Sequence, residues 1–132
     1  MKRLVAAAAL AAALVLFGAG PASAHAALEA SNPDDGARLD APPETVTLEF
    51  TEPVSADLGG VRVYESGGDR VDVGDTRTDE AVVEIDLEPA LPDGAYVVTY
   101  RIVSADGHPV QGGLVFSVGD VAADPGRLRQ FF

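Results

Sequence analysis

The sequence contains no cysteine and no tryptophan, and its single methionine is Met1. The lack of cysteine excludes disulfide bonds and a lipid-acylated cysteine anchor, so the fold depends on a packed core for its stability. The lack of sulfur after Met1 also excludes thiolate and thioether ligands, which soft metal ions prefer. Any metal site in this chain must therefore use nitrogen and oxygen donors.

Positive charge is scarce, and no lysine follows Lys2. Beyond residue 24 the chain has seven basic and 21 acidic residues, a formal charge of −14. This balance argues against nucleic acid or an anionic membrane surface as a partner. It is compatible with the capture of cations, with an ordinary solvated acidic surface and with a salty habitat, and the composition alone does not decide among them.

The first 24 residues have the pattern of a secretory signal peptide. Lys2 and Arg3 precede an almost unbroken apolar run from Leu4 to Gly20, and Ala22-Ser23-Ala24 supplies the small-residue cleavage pattern. The run is at the short edge for a bilayer span and lacks charged flanks on its far side, so a retained anchor is the weaker alternative. We predict cleavage after Ala24, no retained membrane span, and a periplasmic or extracellular protein that begins at His25.

The mature chain, from residue 25 onward, reads as strands and turns without helical spacing of apolar residues. Seven strand segments are indicated, around Leu28, Val46–Phe50, Val61–Tyr64, Val71–Val73, Ala81–Leu87, Ala95–Val103 and Leu114–Val118. The Gly59-Gly60 pair is interpreted as a break, and Pro92-Asp93-Gly94 as a turn. The pattern predicts an all-β, seven-stranded antiparallel Greek-key sandwich or barrel, cupredoxin-like or immunoglobulin-like, over residues 25–119, with a short tail over 120–132.

The chain has two histidines, and the first becomes the N-terminal residue if cleavage follows Ala24. The free α-amine and the imidazole Nδ1 of His25 can then close a chelate ring on one metal ion. Both are nitrogen donors of the kind that Cu(II) prefers in tetragonal sites. The alternative is that His25 is merely the disordered first residue of the mature protein.

The second histidine, His108, lies between two predicted strands and is separated from Asp106 by one residue. In an extended segment this spacing puts both side chains on one side, and Gly107 lets the backbone bend so that they converge. The alternative is a simple turn, because Asp-Gly is above all a turn dipeptide. An amine, two imidazoles and a carboxylate would make a complete tetragonal set, for which Cu(II) outcompetes Zn(II).

Four groups of residues occur in the order and at the spacing found in CopC proteins. They are His25-Ala26-x-Leu28 with Ser31-x-Pro33-x-x-Gly36, Val46-x-Leu48-x-Phe50-x-Glu52-Pro53-Val54, Tyr100-Arg101-x-Val103-Ser104-x-Asp106-Gly107-His108-Pro109, and Gly112-x-x-x-Phe116-x-Val118. The chain resembles this family from residue 25 to about 119. The resemblance implies an extracytoplasmic copper carrier with a seven-stranded sandwich.

The resemblance also implies the ligands of the metal. Cu(II) would be held by the N-terminal amine and imidazole of His25, by Asp106 and by His108. Glu52 matches a family glutamate near the site, which makes it a weak ligand or a residue that contacts the ligands; a solvated glutamate at a strand end is the alternative. The methionine-rich Cu(I) site of some members is missing here, so the chain resembles the Cu(II)-only branch.

Three functions from different classes follow. The favoured one is a non-enzymatic Cu(II)-binding protein of copper homeostasis or resistance that sequesters copper or delivers it to a CopD-like membrane importer. A copper monooxygenase with a histidine brace is disfavoured, because the chain is short, lacks tryptophan and places a carboxylate where oxygen would bind. A metal-free adhesive sandwich is the third, since a fold by itself does not specify a function.

Overall fold

The computed structural model describes residues 1–4 and 25–122. Apart from Leu4, the apolar run lies outside the described residues, as do the cleavage position after Ala24 and most of the predicted tail, from residue 123 onward. Within the described parts, no helix is long and apolar enough to cross a membrane.

Eight β-strands form two four-stranded sheets. The strands are β1 (Leu28–Asn32), β2 (Ala37–Leu39), β3 (Thr45–Phe50), β4 (Val54–Glu65), β5 (Asp72–Asp79), β6 (Val82–Leu87), β7 (Gly94–Ser104) and β8 (Pro109–Val118). The first sheet has the order β1-β3-β6-β5 and the second the order β2-β8-β7-β4. The predicted all-β sandwich is confirmed, with eight strands in place of seven.

Four details differ from the sequence prediction, and the first is that β5 covers Asp72–Asp79 in place of Val71–Val73. The additional strand, β2, is three residues long and pairs parallel to the end of β8, whereas all other neighbours pair antiparallel. The Gly59-Gly60 pair is a bulge inside β4 and not a break, because the register with β7 shifts between Ser55 and Gly60 and the pairing then resumes. Both glycines have positive φ angles, of 131° and 69°, which suit a bulge. Strand β8 begins at Pro109 instead of Leu114, since residues 109–113 pair with β7.

The core fills the space between the two sheets. The alternation in β3 puts Val46, Leu48 and Phe50 inside at 0–2% exposure. Tyr96 and Phe116 from the second sheet are stacked at 5.2 Å between ring centroids. Burial of each such large side chain contributes about 1.5–3 kcal/mol to folding, which explains how the chain holds this fold without disulfides.

One end of the sandwich gathers segments from both sheets. Leu28 at the start of β1 lies opposite Phe50 at the end of β3. In the second sheet, β7 ends and β8 begins at the hairpin turn after Ser104, and Ser104 itself lies opposite Val54 at the start of β4. The segments that precede β1, follow β3 and connect β7 to β8 therefore meet at this end.

Candidate metal centre

His25, Asp106 and His108 come together at this end of the sandwich. Their donor atoms all lie within 4.8 Å of one another. Asp106 Oδ2 is 3.0 Å from His108 Nδ1 and 3.6 Å from His25 Nδ1. The two imidazole rings are stacked, with centroids 4.7 Å apart and an interplanar angle of 23°. Within residues 1–4 and 25–122, no other group of three histidine or acidic side chains is this compact.

His25 is positioned by the two residues that follow it. The Ala26 side chain is 4% exposed and belongs to the core. The Ala27 N–H donates a hydrogen bond of 3.0 Å to Thr51 Oγ1, and the Ala27 carbonyl accepts one of 2.9 Å from the Thr51 N–H. The chain is thus fixed to the end of β3 immediately after His25, although the imidazole itself remains 61% exposed.

The other two residues are presented by the tight turn between β7 and β8. The Ser104 N–H donates to the His108 carbonyl, and the Gly107 N–H donates to the Ser104 carbonyl, both at 2.9 Å. Gly107 has a φ of +84°, a conformation that other residues rarely adopt. The sequence left open whether Asp106 to His108 is a turn or a metal site. The structure shows the turn, and this turn brings the two side chains together.

The Asp106 carboxylate is held so that one oxygen remains available. Its Oδ1 accepts hydrogen bonds from the Ser104 hydroxyl and, at 3.2 Å, from the His108 backbone N–H. The hydrogen bond from Ser104 is the largest cause that lowers the pKa of Asp106 to about 2. Desolvation, the next largest, opposes it, and the hydrogen bonds and charge of His108 lower the pKa further. The carboxylate is therefore ionised at neutral pH, with Oδ2 directed toward the imidazoles.

Ser104 orients the Asp106 carboxylate, a role that was not predicted from the sequence. It is 4% exposed, and its hydroxyl precedes the carboxylate that it binds by two residues. The signal was present as a Ser-x-Asp spacing at the end of a long strand, since serine and aspartate side chains commonly bond across such short turns.

We expect Ser104→Ala to weaken the copper binding that the family resemblance predicts by about 10–100-fold, the usual effect of removing a group that orients a metal ligand. The pKa of Asp106 should rise toward its ordinary value in the same variant, because the main hydrogen bond that lowers it is gone. Competition with a chelator of known affinity measures the first effect. Ser117→Ala is the matched control, since Ser117 is equally buried on β8 at the far end of the sandwich. Equal copper affinity of Ser104→Ala and the unmodified protein would contradict the role.

Glu52 lies outside the three-residue group. Its Oε1 is buried and has no hydrogen-bond partner among the described residues. The flanking residues are tied to both halves of the site, because Thr51 bonds to Ala27 and Val54 lies opposite Ser104. A buried polar atom without a partner costs free energy and is uncommon in native proteins. The role of Glu52 as a weak ligand or a ligand contact stays a prediction.

The fold and this cluster together define a class of protein: a small all-β sandwich with an exposed nitrogen- and oxygen-donor site at one end. The family model of the CopC domain matches residues 28–119. The chain therefore belongs to the CopC family.

Similar known proteins include several that are named for copper. The chain is 38% identical over 99 residues to the copper transport protein CutJ of Bacillus subtilis, which covers 73% of this chain but only 18% of that much longer relative. The structure of CopC from Methylosinus trichosporium OB3b has a TM-score of 0.62 at 29% identity, with 76% of this chain and 98% of that chain covered. The structure of PcoC from Escherichia coli has a TM-score of 0.63 at 28% identity, with 73% and 100% covered.

PcoC is described as a methionine-rich copper resistance protein. The present chain shares its fold but has no methionine after Met1. The similarity therefore extends to the sandwich and not to the methionine-rich composition of the related protein.

Proposed function

We propose that this chain is an exported, non-enzymatic Cu(II)-binding protein that sequesters or delivers copper outside the cytoplasmic membrane. The observation that carries the proposal is the convergence of two imidazoles and an ionised carboxylate within 4.8 Å. Nitrogen donors with one carboxylate suit Cu(II), whereas Cu(I) favours the sulfur ligands that the mature sequence lacks.

Export and cleavage would complete the ligand set. In the uncleaved chain the nitrogen of His25 is a peptide amide, which is a poor metal ligand. Cleavage after Ala24 converts it into an amine on the same residue as one of the imidazoles, so four donors become available from three residues. Glu52, with its unpartnered oxygen, would then act as a weak ligand or as a contact of the bound ligands.

Delivery to a partner such as a CopD-like importer is supported by the exposure of the site. The side chains of His25 and His108 are 61% and 60% exposed, so an incoming ligand can reach the ion from solvent. Copper held in this way is cargo that can leave by ligand exchange. The relatives named for copper transport and copper resistance fit either storage or transfer.

A binding role fits the site better than oxygen chemistry. The amine, two imidazoles and Asp106 would occupy the four strong positions of a tetragonal Cu(II) ion. No strong position then remains for oxygen. Peroxide consumption in the presence of an electron donor and a polysaccharide tests this directly, and we expect none above the level of free copper.

The proposed function predicts one Cu(II) per cleaved chain. Electron paramagnetic resonance of the stoichiometric complex should show a type 2 copper signal with nitrogen couplings, because the donors are amine and imidazole nitrogens with a carboxylate. The His108→Ala variant should lose nitrogen coupling. An intense blue thiolate-like absorption, or the absence of a defined signal at one equivalent, would contradict the assignment.

Copper affinity should fall as the pH is lowered from 7 to 5. Protons compete with the metal for amine and imidazole nitrogens, which ordinarily titrate near pH 8 and 6.5, and each displaced proton contributes up to about tenfold per pH unit. Asp106 does not contribute to this slope, because its pKa of about 2 keeps it ionised throughout the interval. Asp106→Asn should therefore bind more weakly with the same slope. A flat affinity profile would mean that carboxylates alone hold the ion.

A further inference from the structure

A cavity of about 670 Å³ lies on the outer face of the second sheet. Its lining includes Arg62 and Tyr64 from β4, Thr99 and Arg101 from β7, and Gln111 from β8. These residues face away from the core, because Val61 and Val63 in β4 and Tyr100 and Ile102 in β7 are the ones that pack between the sheets. The cavity does not include the metal cluster, although β7 and β8 line the cavity and the turn between them carries Asp106 and His108.

The cavity carries positive charge within the acidic segment from residue 25 to residue 122. Residues 25–122 contain five arginines. Arg38 pairs with Asp120 at 2.6 Å, Arg70 with Asp72 at 2.7 Å and Arg77 with Asp86 at 2.9 Å. Arg62 and Arg101 have no carboxylate partner among the described residues, and both line this cavity.

The two arginines without a carboxylate partner are near neighbours on the sheet, and Arg62 also donates a hydrogen bond of 2.8 Å to the Val61 carbonyl. Arg62 lies opposite Thr99, which is two residues before Arg101 on the same face of β7. Such diagonal positions on adjacent strands are roughly 7–8 Å apart at the backbone. Two guanidinium groups at this spacing can converge on one anionic group, and the arginine fork matches the oxygens of a carboxylate.

We propose that this cavity binds a small organic carboxylate. Its volume of about 670 Å³ falls in the usual range for small-molecule sites, about 300–1,000 Å³. Arg62 and Arg101 would hold the carboxylate, Thr99 and Gln111 offer further hydrogen bonds, and the Tyr64 ring offers an apolar surface for the rest of the molecule. This proposal is independent of copper, since none of the metal-cluster residues lines the cavity.

The net negative charge of the chain favours a small ligand with a single negative charge over a large polyanion. With a formal charge of −14 beyond residue 24, the surface repels an extended polyanion. A single carboxylate in contact with the arginines lies well within the screening length of physiological salt, about 8 Å, so salt weakens its attraction to the arginines only a little. Glu65 also lines the cavity, and it disfavours a multiply charged anion such as phosphate more than a monocarboxylate.

The test uses metal-free cleaved protein and the monocarboxylate benzoate as the probe. Binding is monitored by the backbone amide chemical shifts during a titration at neutral pH. We expect saturable shifts at Thr99, Arg101 and Gln111, and little effect of the uncharged isostere benzamide. Arg62→Gln combined with Arg101→Gln should weaken benzoate binding by about tenfold or more. The matched control is Arg38→Gln, which removes a paired arginine elsewhere and should leave the affinity unchanged.

The proposal would be overturned by the absence of saturable shifts with benzoate, by equal shifts with benzamide, or by equal affinities of the double variant and the unmodified protein. Inorganic phosphate binding to the same residues as tightly as benzoate would also overturn it, because it would indicate a general anion site. If the double variant fails to fold, Arg101→Gln alone decides, since this exposed side chain makes no described contact in the core. Its melting temperature serves as the check of folding.

Discussion

A protein that retains one extra residue before His25 should bind Cu(II) at least two orders of magnitude more weakly than the cleaved protein. The extra residue converts the α-amine into an amide, so the chelate ring between amine and imidazole cannot form in the same way. The change corresponds to a loss of about 2.7 kcal/mol or more of binding free energy. Competition with a chelator of known affinity measures it in both proteins.

The comparison isolates the terminal amine from the rest of the site. Asp106 and His108 are on the β7–β8 turn and are unaffected by the extension, and Ala26 and Ala27 still anchor the chain to the core and to Thr51. The melting temperatures of the two metal-free proteins should therefore agree. In a His25→Ala background the extension should matter much less, because no ring is left to break. Equal affinities of the extended and cleaved proteins would disprove the N-terminal ligand and weaken the case for copper.

The strands that were predicted well are those whose side chains alternate strictly. In β3, Val46, Leu48 and Phe50 face the core while Thr47 and Glu49 do not, and the observed strand agrees with the prediction to within one residue. Strand β2 was missed because three residues carry too short a pattern, and it exists only through its pairing with Phe116–Val118. Tertiary pairing thus determines β2, and a local sequence pattern contains no information about that pairing.

The Gly59-Gly60 bulge was misinterpreted for a related reason. Paired glycines are typical of breaks, and nothing local distinguishes a break from a bulge within a continuous strand. Here Val61 N–H donates a hydrogen bond of 3.0 Å to Thr76 Oγ1, and a side chain at Gly60 would collide with the same threonine. The glycine thus allows the close approach of β5, a strand of the other sheet whose position against β4 the sequence pattern does not give.

The three residues of the candidate site could be proposed from the sequence, but the contacts that position them could not. The N-terminal position of His25 and the spacing of Asp106 and His108 each left a metal site open beside a simpler alternative, and the family resemblance then implied all three as ligands. The contact between His25 and Asp106 joins residues 81 positions apart and depends on the stacking of two sheets. Sequence alone also gave no means to see that Ser104 lowers the pKa of Asp106 or that Glu52 has a buried oxygen without a partner.

The site joins the two sheets, which has a consequence for stability. His25 is attached to the first sheet through Ala27 and Thr51, whereas Asp106 and His108 belong to the second. An ion bound to all three residues is a link between the sheets that exists only in the folded chain. Binding to the native state alone shifts the folding equilibrium by mass action.

Copper should accordingly raise the melting temperature of the cleaved protein by on the order of 10–20 °C. Free Cu(II) at 100 to 1,000 times its dissociation constant contributes about 2.7–4.1 kcal/mol of stability. His108→Ala should lose most of this gain while its metal-free melting temperature changes little, because the His108 side chain is 60% exposed and lies outside the core. Thermal unfolding without Cu(II) and with Cu(II) at this free concentration provides the measurement.

A general attraction of cations to the acidic surface would give a different result. Asp69→Asn removes one exposed carboxylate outside the cluster, so it should keep the full copper-induced shift, whereas Asp106→Asn should lose most of it. Raising the salt concentration should reduce a diffuse electrostatic effect but leave the shift from a coordinated ion nearly intact. A copper-induced shift that is equally large in His108→Ala would remove His108 from the site. If Asp69→Asn and Asp106→Asn reduce the shift equally, the stabilisation comes from the general negative charge of the surface and not from a defined copper site.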